Sequence, residues 1–186
     1  MGTKTQENLA NAFVGESQAR NKYTFFASVA KKEGFEQISA IFQETADNEK
    51  EHAKKIFQLL GDISINISTS VGAETGDTRI NLKHAAEGEK HEWGTMYPNF
   101  EKEAQAEGET EAANLFKELA EVEAEHEKRY LKLLENVENK KVFKKDTPVK
   151  WHCRNCGYVH EGIEAPQFCP ACKHPQAYYE VFAENY

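Results

Sequence analysis

Twenty residues of this chain occur twice. The segment IFQETADNEKEHAKKIFQLL (41–60) aligns without gaps on LFKELAEVEAEHEKRYLKLL (115–134), with nine of twenty positions identical. Unrelated segments of that length would share about one or two. The shared positions include Glu49/Glu123 and His52/His126, so each copy carries one Glu-x-x-His. Such a duplication predicts two related helical hairpins.

The hydrophobic spacing agrees. Residues 5–138 contain a single proline, Pro98, and four stripes recur at mixed intervals of three and four. The first runs from Leu9 through Glu16 and Tyr23 to Ala30, and the second from Ile38 through Glu49 and His52 to Leu59. The third runs from Leu82 through Glu89 and Glu92 to Phe100, and the fourth from Phe116 through Glu123 and His126 to Val137. Gly34 and Gly108 stop the first and third helices, making each pair an antiparallel hairpin. Gly94 and Pro98 predict a bend in the third helix. The hairpins are joined by Gly61–Ile80, rich in Ser, Thr, Gly and Asp. Fully extended, that segment reaches ~65 Å, against ~37 Å for a helix of about 25 residues. It can therefore run the length of the bundle. Short–long–short connections predict an all-α, ferritin-like four-helix bundle with one crossover. The expected division is a bundle over 1–145 and a small metal domain over 146–186, with the basic stretch NKKVFKKDTPVK (139–150) as linker.

Each stripe carries acids where a core should be. A carboxylate in an apolar interior is costly unless paired or metal-bound. Residues three apart share a helix face, so Glu49/His52 and Glu123/His126 can each aim two donors at one point. Glu16 and Glu89 supply one more acid from each remaining helix. One Glu from each of two helices and a Glu-x-x-His from each of the other two is the donor pattern of di-iron and di-manganese carboxylate bundles. The plainer reading makes Glu16 a partner of Arg20 and each His a hydrogen-bonded core residue. It weakens because the whole set recurs with the repeat. Softness alone leaves Fe, Mn and Zn open. Glu92 breaks the symmetry, since Ala19 holds the matching place in the first half. It is either a spare ligand or a solvated acid. Tyr23 and Tyr97, about two turns beyond Glu16 and Glu89, are either hydrogen-bond donors to those acids or ordinary core aromatics.

All four cysteines fall near the end of the chain, as Cys153-x2-Cys156 and Cys169-x2-Cys172. Two facing Cys-x2-Cys turns make a tetrahedral four-sulfur site for Zn or a single Fe, and the spacing does not choose between them. A segment this short cannot bury enough surface to fold unaided, so the metal is also structural. Trp151, Tyr158, Phe168, Tyr178, Tyr179 and Phe182 are the expected core around it.

The formal net charge of -8 argues against a nucleic-acid coat or an anionic membrane surface as partner. No apolar run approaches the ~20 residues of a membrane span. The first residues have no signal-peptide core. A cytoplasmic chain is expected.

The chain resembles rubrerythrin over nearly its whole length. The segments that carry the resemblance are GESQARNKYTFFA (15–27), ETADNEKEHA (44–53), GEKHEWGTMYPNF (88–100), VEAEHEKRY (122–130), WHCRNCGYVHEG (151–162) and APQFCPACKHPQAYY (165–179). The 61–81 crossover is the least family-like stretch and holds no ligand candidate. Rubrerythrins are non-haem iron peroxidases of anaerobes and microaerophiles, with a ferritin-like bundle and a rubredoxin-like tail. The resemblance implies two Fe in the bundle and one Fe on Cys153, Cys156, Cys169 and Cys172. It implies Glu49 and Glu123 as bridges, Glu16 as terminal ligand to one iron, and Glu89 with His126 on the other. Glu92 and His52 would exchange on the first iron with redox state. The implied activity is reduction of hydrogen peroxide to water, protecting against oxidative stress. Electrons would come from a reductase or rubredoxin, and the implied assembly is a head-to-tail homodimer. Two other classes are a ferroxidase or iron-storage protein, and a zinc-ribbon interaction module on a structural bundle.

Overall fold

The computed structural model describes residues 1–185. Helix α1 spans Thr3–Lys32, α2 Glu36–Leu60, α3 Thr78–His91, α4 Tyr97–Ala106 and α5 Thr110–Glu138. A single π-helical segment, Glu92–Met96, joins α3 to α4. The third bundle helix is thus α3, the π segment and α4 in succession, with Gly94 inside the π segment. Pro98 enters as the second residue of α4.

Both hairpin turns close in the same way. Gly34 has φ 83 and Gly108 has φ 75, the left-handed region open to glycine. Phe35 N–H donates to Ala30 O, and Glu109 N–H donates to Ala104 O, each at 2.9 Å. These are Schellman closures, which satisfy the last carbonyls of α1 and α4. Helix α5 ends similarly, with Lys141 N–H on Asn136 O at 2.7 Å. There the left-handed position is Lys140, φ 56, without glycine's freedom. The crossover ends three residues earlier than expected. Asp77 accepts from Ile80 N–H at 2.8 Å and caps α3 from Thr78 onward.

Helix α1 packs along α2, and α3 with α4 packs along α5. The bundle interior is two apolar clusters rather than one. One contains Phe26, Ile38, Phe42, Leu82 and Tyr130. The other contains Leu9, Ile56, Tyr97, Phe116 and Leu119. The buried acids lie on the same helices, between the residues of the two clusters.

The tail is a three-stranded antiparallel sheet in the order β2-β1-β3. Strand β1 spans Lys144–Cys153, β2 Val159–Glu164 and β3 Tyr179–Val181. Most of the expected linker is therefore strand, and only 139–143 connects. The pairing register shifts between Lys144 and Val149, around Pro148, where a missing N–H is tolerated. The tail core holds Trp151, Cys153, Ala165, Cys169 and Tyr179, with Phe143, Val149 and Tyr178 packed against it. Phe168 is 67% exposed and Tyr158 also faces outward, contrary to expectation. Cys169 points inward, so its neighbour Phe168 in extended chain points out. The tail rests on the α1–α2 turn, where Phe35 and Phe143 stack with ring centroids 6.1 Å apart. Among the described residues no helix is long and apolar enough to cross a membrane.

Candidate metal centres

Six side chains converge between the two bundle clusters. Glu16, Glu49, Glu89 and Glu123 are at most 1% exposed, and His126 is buried beside them, with His52 partly so. Their donor atoms fall into two groups: Glu16, Glu49, His52 and Glu123, and Glu49, Glu89, Glu123 and His126. Within each group one atom per residue lies within 4.8 Å of the others. Glu49 and Glu123 belong to both.

The geometry is close to two-fold. His52 Nδ1 lies 2.8 Å from Glu49 and 3.2 Å from Glu123. His126 Nδ1 lies 2.8 Å from Glu123 and 3.2 Å from Glu49. The rings stand 6.0 Å apart. Tyr23 Oη donates to Glu89 Oε1 at 2.7 Å, and Tyr97 Oη donates to Glu16 Oε1. Both tyrosines therefore bind the acid of the opposite hairpin. Arg20 makes no ion pair with Glu16 among the described residues, which removes the plainer reading of that acid.

Several polar atoms are buried here without a hydrogen-bond partner: Glu16 Oε2, Glu49 Oε1, Glu89 Oε2, both oxygens of Glu123 and His126 Nδ1. Each tyrosine holds Oε1 of its glutamate and leaves Oε2 free. Burial pushes the carboxyls of Glu16 and Glu89 well above the ordinary range, and neighbouring Glu49 pushes both further. Burial also acts on Glu49, but the close imidazoles of His126 and His52 outweigh it and hold Glu49 at about 2. Burial lowers His126, and the neighbouring carboxylates of Glu123 and Glu49 raise it to about 9. The cluster thus draws positive charge. Unpartnered oxygen and imidazole donors in two overlapping sets fit a pair of metal dications.

Glu92 is the first residue of the π segment and is partly buried. It lies outside both donor groups. Burial and the charges of Glu16, Glu123 and Glu49 raise its carboxyl, so it stands beside the site. Seven positions separate Glu16 from Tyr23 and eight separate Glu89 from Tyr97. The π segment absorbs the additional residue, restoring Tyr97 to its place and leaving Glu92 at the bulge. That mismatch of spacing is the sequence signal for the segment. Trp93 and Glu127 carry no such signal, yet Trp93 Nε1 donates to Glu127 Oε2 at 2.7 Å.

In the tail, Cys153 Sγ lies 3.8 Å from Cys172 Sγ, and Cys156 Sγ lies 3.6 Å from Cys169 Sγ. A tetrahedral site with metal–sulfur bonds of ~2.3 Å needs sulfurs about 3.8 Å apart, so the thiols fit a metal. The two knuckles match in backbone. Gly157 N–H donates to Cys153 O and Lys173 N–H to Cys169 O, each at 2.9 Å. A backbone hydrogen bond from His174 favours the Cys172 thiolate and takes it down to about 6. His84, His91, His152, His160 and His174 join no metal-ligand group among the described residues.

Comparisons with known proteins place the chain in a family. The family model for rubrerythrin matches residues 7–134. A second model, described as the rubredoxin-like domain of rubrerythrin, matches 151–180. A rubrerythrin of Porphyromonas gingivalis is 53% identical over 186 residues, covering 100% of this chain and 93% of its own. A rubrerythrin of Nitratidesulfovibrio vulgaris is 49% identical over 187 residues, covering 100% of this chain and 97% of its own. The structure of nigerythrin in its fully reduced, all-ferrous state is 32% identical, with a TM-score of 0.67 over 98% of this chain and 88% of that one. Both modules are matched in the same order, so this chain belongs to the rubrerythrin family, with a diiron carboxylate site in the bundle and a four-cysteine iron site in the tail.

Proposed function

We propose that the chain is a cytoplasmic non-haem diiron peroxidase that reduces hydrogen peroxide to water, supplied with electrons through its four-cysteine iron. The observation that carries this is the pairing in one chain of a dinuclear carboxylate pocket with a separate thiolate site. In this reading Glu49 and Glu123 would be shared by the two metals, because each belongs to both donor groups. Glu16 would be a terminal ligand to the first metal, and Glu89 and His126 would hold the second. Glu92 and His52 would exchange on the first metal with its redox state. Iron held there would supply, as two ferrous ions, the two electrons that peroxide reduction requires.

The protein's own groups do the rest. Tyr97 Oη–H and Tyr23 Oη–H fix Oε1 of Glu16 and Glu89, which aims each Oε2 at the pocket. The two apolar clusters exclude bulk water above and below. The tail, from about residue 146, acts as a separate electron-transfer module. Twelve residues of α5 follow His126, or about 18 Å of helix, before the chain turns toward the thiolates. A head-to-tail homodimer would bring one chain's thiolate iron nearer the other's diiron pocket. An external reductase or rubredoxin is the expected donor, and defence against oxidative stress the expected role.

The test is metal analysis with peroxide kinetics on anaerobically reduced protein. We expect three irons per chain, a red ferric thiolate centre, and peroxide turnover that exceeds any net iron uptake. A colourless zinc-loaded tail with no turnover supports the interaction-module alternative, and progressive iron accumulation supports the storage alternative.

A further inference from the structure

The π segment packs on α5 but buries little of its own side chains. None of its five residues, Glu92–Met96, is fully buried. Met96 packs only part-buried against one apolar cluster. Among the described residues, Trp93 Nε1 to Glu127 Oε2, at 2.7 Å, is the one side-chain hydrogen bond that ties the segment to another helix. Its position is specific. Trp93 follows Glu92, and Glu127 follows His126. The bond therefore joins the residue after the half-buried acid to the residue after a metal-site histidine, across two helices.

The other half of the bundle lacks it. In the repeat, Glu127 corresponds to Ala53, and Trp93 lies four residues after Glu89 as Arg20 lies four after Glu16. Arg20 and Ala53 cannot make this contact. The unpaired features of the second half, Glu92, the π segment and the Trp93–Glu127 bond, thus occur together. A π segment has wider, weaker backbone closure than the α-helix around it and needs tertiary support to hold one conformation. An indole N–H on a carboxylate is charge-assisted, among the stronger hydrogen bonds available for that purpose.

We infer that Trp93 and Glu127 are a positioning pair, whose hydrogen bond pins the π segment to α5 and so sets the Glu92 carboxylate against the diiron pocket. Neither residue belongs to a metal-donor group. This rests on the role proposed for Glu92, and its test separates the two ideas.

The variants are Trp93→Phe, which keeps the ring and removes the donor, Glu127→Ala, which removes the acceptor, and Glu127→Gln, which keeps an acceptor without charge. The first readout is amide hydrogen exchange over 92–97 in the full chain, with and without iron. Trp93→Phe and Glu127→Ala should raise exchange there by about tenfold, leave α1 and α2 unchanged, and Glu127→Gln should fall between. The indole N–H resonance of Trp93, distinguishable from that of Trp151 on Gly162 O, should move in Glu127→Ala. The second readout is peroxide turnover. It should fall several-fold in both variants, no further in the double variant, and show no added effect in a Glu92→Ala background. Unchanged exchange in both variants overturns the pinning whatever Glu92 does. Raised exchange with normal turnover overturns the positioning role if Glu92→Ala is itself slow. If Glu92→Ala turns over normally, the role of Glu92 has failed while the exchange result still decides the pinning.

Discussion

In the bundle, the metal pocket lies between two apolar clusters, one around Phe26, Phe42 and Tyr130 and the other around Leu9, Ile56 and Phe116. In the tail, Cys153 and Cys169 are themselves members of the one apolar cluster. The difference decides what each metal does for the fold. Helices that already pack above and below can hold an acidic layer open. A few dozen residues with Trp151 and Tyr179 for a core cannot dispense with the ion that joins their two knuckles. The bundle is a scaffold that receives metal, whereas in the tail the metal is part of the scaffold.

The sharpest way to break that contrast is to change all four cysteines to Ser. The tail should lose its fold, since tetrathiolate binding contributes on the order of 10 kcal/mol to such modules. The bundle should keep its helicity and its two irons, checked by circular dichroism and iron analysis. Single turnover of chemically reduced protein should survive, while steady turnover with a reductase should stop. Loss of the bundle irons would unite the centres that the comparison separates.

Next in size are the shared carboxylates. Glu49→Ala or Glu123→Ala should abolish binding of both irons, and Glu16→Ala should weaken mainly one, as read by titration with ferrous ion. Equal, small losses for all three would remove the bridging role. Smaller again is Glu92→Ala, which should retain two irons when reduced and slow peroxide turnover by about tenfold or more. His52→Ala should weaken ferrous more than ferric binding, measured on the same preparations. The smallest effect tests the scaffold alone. Lys140→Gly relieves the left-handed position after α5 and should stabilise the bundle by about 0.5–1 kcal/mol in urea unfolding, with no change in either iron site.

Much of this was legible in the sequence, for a physical reason. Helical period places Glu49 with His52 and Glu123 with His126 on one face each, and the repeat reveals that the faces are equivalent. Tyr23 and Tyr97 were legible only as alternatives, because position along a stripe does not say which hairpin a hydroxyl will reach. The start of β1 was hidden because most of Lys144–Lys150 is solvent-facing, so its composition resembles a linker. By hydrophobicity alone Phe168 belongs to the tail core, but the inward Cys169 beside it turns it outward. Trp93 and Glu127 lie on different helices, and no spacing rule links them.

The reciprocal contacts across the bundle have a consequence of another kind. Tyr23 serves Glu89 and Tyr97 serves Glu16, and His52 and His126 each reach the other hairpin's glutamate at 3.2 Å. Exchange between equivalent residues is the mark of an isologous two-fold interface. Two separate copies of one hairpin would make it only when concentrated enough to meet. Joined by residues 61–77, they meet at an effective concentration of about the millimolar range, and the pocket closes at any dilution. The same tether removes the requirement that the copies stay identical, and so one side can carry Glu92 where its twin has Ala19.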